Sequence, residues 1–91
     1  MKSKQRRKTE GERLRAVRQR QRLSLRQVEA QSRGIARRLG HVEFVIPYTR
    51  LQEIEVRGSV PSIYRLYSLA FIYRLPMQRL LNWYGVPHDK R

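Results

Sequence analysis

The stretch that decides the fold is Ile46-Pro47-Tyr48-Thr49-Arg50-Leu51-Gln52-Glu53-Ile54-Glu55. Pro47 favours the first position of a helix, where its fixed φ is already helical and its missing N–H costs no hydrogen bond. Leu51 and Ile54 are three residues apart, so they share one face of such a helix and can be buried together. The spacing therefore predicts a helix over residues 47–55 with a narrow apolar seam and a broad polar face.

That polar face carries side chains that can donate and accept hydrogen bonds. They are Tyr48, Thr49, Arg50, Gln52 and Glu53. A protein that reads base edges in the DNA major groove needs a face of this kind. An ordinary amphipathic surface helix has the same pattern, and the stretch taken alone favours that interpretation over a DNA-reading helix.

Length and composition limit the remaining choices. A chain of 91 residues forms one small domain. The absence of cysteine excludes disulfides and thiolate metal sites, and it favours a cytoplasmic protein. No apolar run approaches the roughly 18 residues of a membrane span, and no apolar segment follows the basic N-terminus as in a signal peptide. We expect no membrane association, metal, cofactor or small-molecule ligand.

The strongest signal is the charge. The formal net charge is +14 and the isoelectric point is about 11.5. Residues 1–40 hold fourteen Lys and Arg against three Glu, whereas residues 41–91 hold seven against four acids. A small domain this basic usually binds a polyanion, most often nucleic acid. On charge alone, an anionic membrane and ribosomal RNA also remain open.

An enzyme is not expected. The chain has only seven acidic residues and two histidines, and no cysteine. No Ser-His-acid or Cys-His arrangement, carboxylate pair or phosphate-binding glycine loop can be placed in it.

Hydrophobic periodicity predicts four further helices, over residues 10–22, 25–39, 63–73 and 76–84. Thr9, Ser24 and Ser62 suit N-caps, and Gln27 completes a capping box with Ser24. Gly40 and Gly85 are expected to end helices. The predicted core is Leu14, Val17, Val28, Leu51, Ile54, Ile63, Leu66, Ala70, Tyr73 and Leu80.

The segments between and around these helices complete the expected organisation. Residues 41–46 have strand-like composition but no second strand to pair with, so they should form a linker that places Phe44 or Val45 in the core. Residues 1–9 should be a disordered basic arm, because they can bury almost nothing. We expect the folded domain over residues 10–86 and a flexible end over residues 87–91.

Four segments, in this order, resemble a known family: Gly11-Glu12-Arg13-Leu14-Arg15 with Arg18, Leu23-Ser24-Leu25-Arg26-Gln27-Val28, Leu51-Gln52-Glu53-Ile54-Glu55, and Pro61-Ser62 with Leu66, Leu69-Ala70 and Leu80-Leu81. Residues 10–86 thereby resemble the lambda-repressor-like helix-turn-helix domains of the XRE family. The resemblance implies an all-α, compact five-helix domain whose recognition helix lies at 47–55. The chain departs from it in a long connection between helices 2 and 3, and in an extra residue between Glu55 and Gly58.

The resemblance also implies roles for individual residues. Base-reading positions fall on Tyr48, Thr49, Gln52 and Glu53, and we add their neighbour Arg50, which can bind guanine or a phosphate. Phosphate contacts fall on Ser24 and Arg26, and we add Arg57. Glu55 is expected to be structural, with Arg18 as its partner.

These implications predict a sequence-specific regulator that binds double-stranded DNA. Family members often bind as dimers, so a homodimer through the C-terminal helix, at Leu81, Trp83, Tyr84 and Val86, is one candidate assembly. Two alternatives remain. One is a helix-turn-helix-fold protein-interaction module, such as an antitoxin or a phage accessory factor, and the other is a non-specific basic nucleic-acid-binding protein.

Overall fold

A computed structural model describes residues 8–87, and this part of the chain is all-α, as predicted. The helices are α1 (Glu10–Arg20), α2 (Leu25–Leu39), α3 (Tyr48–Gln52), α4 (Ile63–Tyr73) and α5 (Met77–Trp83). A 3₁₀ turn (Val42–Phe44) lies between α2 and α3, and α3 continues directly into a π-helical turn (Glu53–Arg57). No strand occurs within residues 8–87. Most of the predicted basic arm and C-terminal end lies outside the described residues.

Local hydrogen bonds begin the first two helices. At α1, the Thr9 hydroxyl accepts from the Glu12 N–H at 3.1 Å, and the Glu12 carboxylate accepts from the Thr9 N–H at 3.0 Å. Ser24 and Gln27 form the same reciprocal pair at the start of α2. These capping boxes satisfy N–H groups that a helix start would otherwise leave unpaired.

The predicted end of α1 is two residues too late. The helix ends at Arg20, and Arg22 adopts a left-handed conformation with φ of 60°. The Leu23 N–H then bonds back to the Arg18 carbonyl at 3.1 Å. This turn leads the chain directly into α2. The predicted end of α2 is correct, because the helix ends at Leu39 and is followed by Gly40 in a left-handed conformation.

Nine of the ten predicted core residues are buried: Leu14, Val17, Val28, Leu51, Ile54, Leu66, Ala70, Tyr73 and Leu80. The tenth, Ile63, is 57% exposed, so its predicted burial is wrong. The fully buried Leu69 lies close to the centre of the buried side of α4. Ile63 lies about 120° around the helix from Leu69, which places it on the outer side.

The connection between α2 and α3 is ordered by side-chain hydrogen bonds. The Ile46 N–H donates to the Ser32 hydroxyl at 2.8 Å, and the Ser68 hydroxyl donates to the Phe44 carbonyl at 2.7 Å. Ile46 is thereby fully buried, whereas Phe44 and Val45 are only half-buried. Phe44 packs against the core as predicted for the linker, but the fully buried residue of the segment is Ile46, which was not predicted. Distant serines, rather than local periodicity, set the path of the segment.

No helix within residues 8–87 has the length and apolar character needed to cross a lipid bilayer.

Candidate nucleic-acid interface

The helix α3 presents two different sides. Leu51 and Ile54 are completely buried against the core, while Thr49, Arg50 and Gln52 are exposed. Tyr48 and Glu53, the other two predicted base-reading residues, are half-buried at the border. The structure thus places all five predicted reading positions on one short helical segment, three of them exposed and two half-buried.

The start of α3 is held by α2 through a residue that the sequence analysis missed. Pro47 is the N-cap rather than the first helical residue, and it has no side-chain hydroxyl or carboxylate to accept from the helix. The Glu29 carboxylate supplies that acceptor, because it receives the Tyr48 N–H at 3.1 Å. Glu29 also pairs with Arg33 one turn along α2. The negative charge of Glu29 also interacts favourably with the partial positive charge at the N-terminus of α3.

Arg26 and Tyr48 join the starts of α2 and α3 on the surface. The Arg26 guanidinium lies over the Tyr48 ring, 4.1 Å from its centroid. A guanidinium on an aromatic face gains about 0.5–1 kcal/mol at an exposed site. Arg26 remains exposed, so its N–H groups are available to an anion beside the first turn of α3.

The far end of α3 is anchored to α1 by an ion pair. Arg18 Nε donates to Glu55 Oε2 at 2.7 Å, and Arg18 Nη2 donates to Glu55 Oε1 at 2.9 Å. The pair is the one that the resemblance implied, and it is buried, with side-chain exposures of 11% and 2%. The hydrogen bond to Glu55 raises the pKa of Arg18. Arg18 Nη1 donates a third hydrogen bond to the Leu23 carbonyl at 2.8 Å. The Arg18 guanidinium therefore also holds the turn before α2.

The helical path continues beyond α3 through Glu55 as far as Arg57. Residues Glu53–Arg57 form a π-helical turn, and the N–H of Gly58, in a left-handed conformation with φ of 80°, bonds to the Glu53 carbonyl. A π turn accommodates one inserted residue without ending the helix, and such turns occur frequently at functional sites. Here it keeps Glu55 buried while Val56 and Arg57 point outward.

Two of the predicted reading residues are paired with each other. Arg50 Nη1 donates to Glu53 Oε1 at 3.0 Å on the outer side of α3, and both side chains are about half exposed. Within residues 8–87, the side chains of Thr49 and Gln52 make no such bond and remain open to a ligand. An exposed pair of this kind contributes little stability, so a base or a phosphate can compete for Arg50.

The predicted phosphate contacts lie at three places around this helix. Ser24 uses its hydroxyl oxygen as the α2 cap, which leaves its hydroxyl hydrogen to donate. Arg26 lies beside the start of α3, and Arg57 is exposed at its end. Thr49, Gln52, Glu53, Val56 and Arg57 border one open depression of about 310 Å³.

Within residues 8–87, no three histidine, acidic or cysteine residues come together as a metal site. Neither a protein family nor a curated protein or solved structure was found to match this chain. Its function must therefore be inferred from its own residues.

Proposed function

We propose that this protein is a sequence-specific, double-stranded-DNA-binding transcriptional regulator. The helix that begins at Pro47 would enter the major groove. The observation that carries the proposal is the outer side of α3, where Thr49 and Gln52 are exposed and have no hydrogen-bond partner within residues 8–87. The XRE-family resemblance supports the same role for this segment.

The chemistry of these side chains indicates which contact with DNA each of them would make. Gln52 can make a paired donor and acceptor contact with an adenine edge, and Arg50 can donate two hydrogen bonds to guanine once it leaves Glu53. Arg26 and Arg57 would contact phosphates on either side of the groove, which positions the helix without reading sequence. Glu29 and the Arg18–Glu55 pair would hold α3 at a fixed angle to α1 and α2.

The net charge of +14 supports a polyanionic partner but does not by itself select sequence-specific binding. Phosphate contacts made by arginine supply most non-specific affinity, whereas base contacts supply discrimination. The test must therefore distinguish a sequence-specific DNA-binding protein from a non-specific nucleic-acid-binding protein.

The experiment selects preferred duplexes from a random pool and then measures variants on the selected duplex and on a scrambled one. Gln52→Ala should cost about 1–3 kcal/mol on the selected site and relax the preference at one base position. Arg26→Ala should weaken binding to both duplexes by a similar factor. Arg79→Ala removes an exposed arginine of α5, which packs on α4, and serves as the charge-matched control.

Two results would refute the reading role. One is a random pool that yields no enriched motif. The other is a Gln52→Ala variant that loses the same factor of affinity on both duplexes, which would leave a basic nucleic-acid clamp.

The homodimer remains part of the proposal. Leu81, Trp83 and Tyr84 already pack partly against the core, and Trp83 has Arg13 over its ring at 5.7 Å. Sedimentation of the protein with a duplex that carries the selected motif twice, one DNA turn apart, would count the copies bound. A protein bound independently at each half-site would exclude the dimer.

A further inference from the structure

A second surface lies away from α3 and is formed by aromatic rings. We call it the aromatic ladder and define it as His41, Tyr64, Phe44, Tyr67 and Phe71. His41 stacks on Tyr64 with centroids 5.0 Å apart, and Phe44 meets both Tyr64 and Tyr67 edge to face at 5.3 and 5.5 Å. Tyr67 in turn stacks on Phe71 at 6.3 Å. The rings therefore form one continuous strip across the 3₁₀ turn and α4.

Four of the five rings are exposed to solvent, whereas Phe44 is half-buried and packs against the core. Ile63, Tyr67 and Phe71 follow each other at intervals of four residues, so they line one outer face of α4. Phe71 is 54% exposed, and Val42 of the 3₁₀ turn is 78% exposed. Large contiguous apolar patches with a polar rim mark interaction sites on soluble proteins.

Basic side chains border the ladder. Beside it, Arg33, Arg37, His41 and Val42 help to line a shallow depression of about 500 Å³ between the end of α2 and the 3₁₀ turn. The Arg38 guanidinium lies 5.3 Å from the centroid of the Phe71 ring. The acid nearest to the ladder in the described chain is Glu43, whose carboxylate is 3.5 Å from His41 Nδ1.

The ladder and the candidate DNA-reading side use opposite ends of α2. Arg26 borders the start of α3, and Arg38 borders Phe71. Twelve residues separate these arginines, which corresponds to about 18 Å along a helix. A ligand on the ladder would therefore occupy a place separate from α3.

We propose that the aromatic ladder and its adjoining depression bind an acidic amphipathic helix of a partner protein. Its apolar side chains would pack on Val42, Tyr67 and Phe71, and its carboxylates would pair with Arg37 and Arg38. A helix laid in a groove is a common way to use an apolar strip with a charged border. The binding does not depend on the proposed DNA reading.

Charge and ring geometry favour this occupant over two others. A second copy of the chain would place Arg37 and Arg38 against a surface that is itself strongly basic, and like charges across an interface suppress association. Single-stranded nucleic acid requires open ring faces as stacking platforms. In the ladder, Phe44 meets its neighbours edge to face, and Val42 and Ile63, which are exposed beside the ladder, have no ring to stack on a base.

The test uses the full chain and a labelled synthetic helix with leucine along one face and glutamate elsewhere. A peptide with the same composition in permuted order, so that no leucine face exists, is the ligand control. We expect saturable binding of the first peptide and binding at least about tenfold weaker for the second. Equal binding of both would show attraction by charge alone and would overturn the proposal.

Matched variants locate the site. Val42→Ser and Phe71→Ala should each weaken binding of the amphipathic peptide by about tenfold or more. Val56→Ser removes a comparably exposed valine from the α3 side and should leave peptide binding unchanged. Arg37→Glu should weaken binding, whereas Arg79→Glu, with the same change of charge on α5, should have a much smaller effect. Circular dichroism of each variant confirms that it is folded, and Val42, as an exposed residue of a turn, is the substitution least able to disturb the core.

Three results would overturn the proposal. The first is an equal loss of peptide binding in Val56→Ser. The second is an oligothymidylate that binds more tightly than the peptide and whose binding is lost in Phe71→Ala. The third is self-association of the native chain in sedimentation that Phe71→Ala abolishes, since a second copy would then be the occupant.

Discussion

At the residue scale, the buried ion pair connects stability to the candidate site. Arg18 and Glu55 are 37 residues apart in the chain and join α1 to the π turn that follows α3. The Tyr73 hydroxyl interacts electrostatically with both of these charges. Its burial raises its pKa. Removal of one charge from such a pair leaves the other buried without compensation.

We therefore expect Glu55→Gln to reduce the free energy of unfolding by about 3 kcal/mol, as measured by urea denaturation. Glu53→Gln is the control, because it neutralises an acid of the same helix whose ion pair with Arg50 is half exposed. It should cost less than about 0.5 kcal/mol. Equal losses in the two variants would mean that burial of the Arg18–Glu55 pair has no energetic consequence.

A second residue-scale prediction concerns Tyr84. Burial, and to a lesser extent the charge of Glu10, raises its pKa to about 12. In the unfolded chain the phenol loses its proton near pH 10, so its contribution to stability is complete below pH 10 and is lost as the pH rises towards 12. Unfolding midpoints at a series of pH values should fall more steeply for the native chain than for Tyr84→Phe above pH 10.

The same substitution should be tolerated at neutral pH. The Tyr84 hydroxyl is buried, and it finds no hydrogen-bond partner within residues 8–87. Replacing an unpaired buried hydroxyl should change stability by no more than about 1 kcal/mol. If the stability of the native chain and that of Tyr84→Phe fall equally above pH 10, then Tyr84 does not contribute to the pH dependence of stability.

At the element scale, the contact between α1 and the π turn depends on one glycine. A Cβ added to Gly11 would overlap the backbone carbonyl oxygens of Ile54 and Glu55. Those oxygens belong to backbone and cannot rotate away as a side chain could. The close approach lets Arg18 reach Glu55 and so helps to set the angle of α3.

Two glycine substitutions should consequently have opposite effects. Gly11→Ala should destabilise the protein by about 1–3 kcal/mol through overpacking, although alanine is the better helix former. Gly34→Ala, inside α2 where nothing lies within 4 Å of the added Cβ, should stabilise it by about 0.5–1 kcal/mol. Urea denaturation of the two variants gives the comparison, and a stabilised Gly11→Ala variant would show that α1 and α3 can separate without cost.

At the scale of the whole molecule, the basic residues are concentrated in the first part of the sequence. Residues 1–40 carry fourteen of the twenty-one Lys and Arg residues, and they include α1 and α2. Within the described part of the chain, arginines of this group lie at both ends of α2, with Arg26 beside α3 and Arg38 beside the aromatic ladder. The high net charge would attract a polyanion before any base contact forms.

The dependence of duplex affinity on salt concentration tests whether these basic residues bind phosphates. With about five to eight phosphate contacts, a plot of the logarithm of affinity against the logarithm of salt concentration should have a slope of about −5 to −7. Deletion of residues 1–8 should make that slope shallower while it leaves the preference for the selected sequence largely intact. A salt-independent affinity would remove nucleic acid as the partner.

The sequence by itself determined the features that depend on neighbours in the chain. The capping boxes at Thr9 and Ser24 need residues only three positions away, and the apolar repeat of each helix shows which side is buried. The positions of Leu51 and Ile54 could therefore be predicted, and with them the polar outer side of α3. The Arg18–Glu55 pair came from family resemblance, because no local pattern links residues so far apart.

Only the tertiary structure decided the features that depend on distant contacts. Ser32 and Ser68 set the path of the linker, Glu29 caps α3 across nineteen residues, and Arg18 holds the π turn against α1 through Glu55. The aromatic ladder exists only because the 3₁₀ turn packs on α4. Local propensity carries no information about such contacts, since each depends on where the folded chain places a second, distant segment.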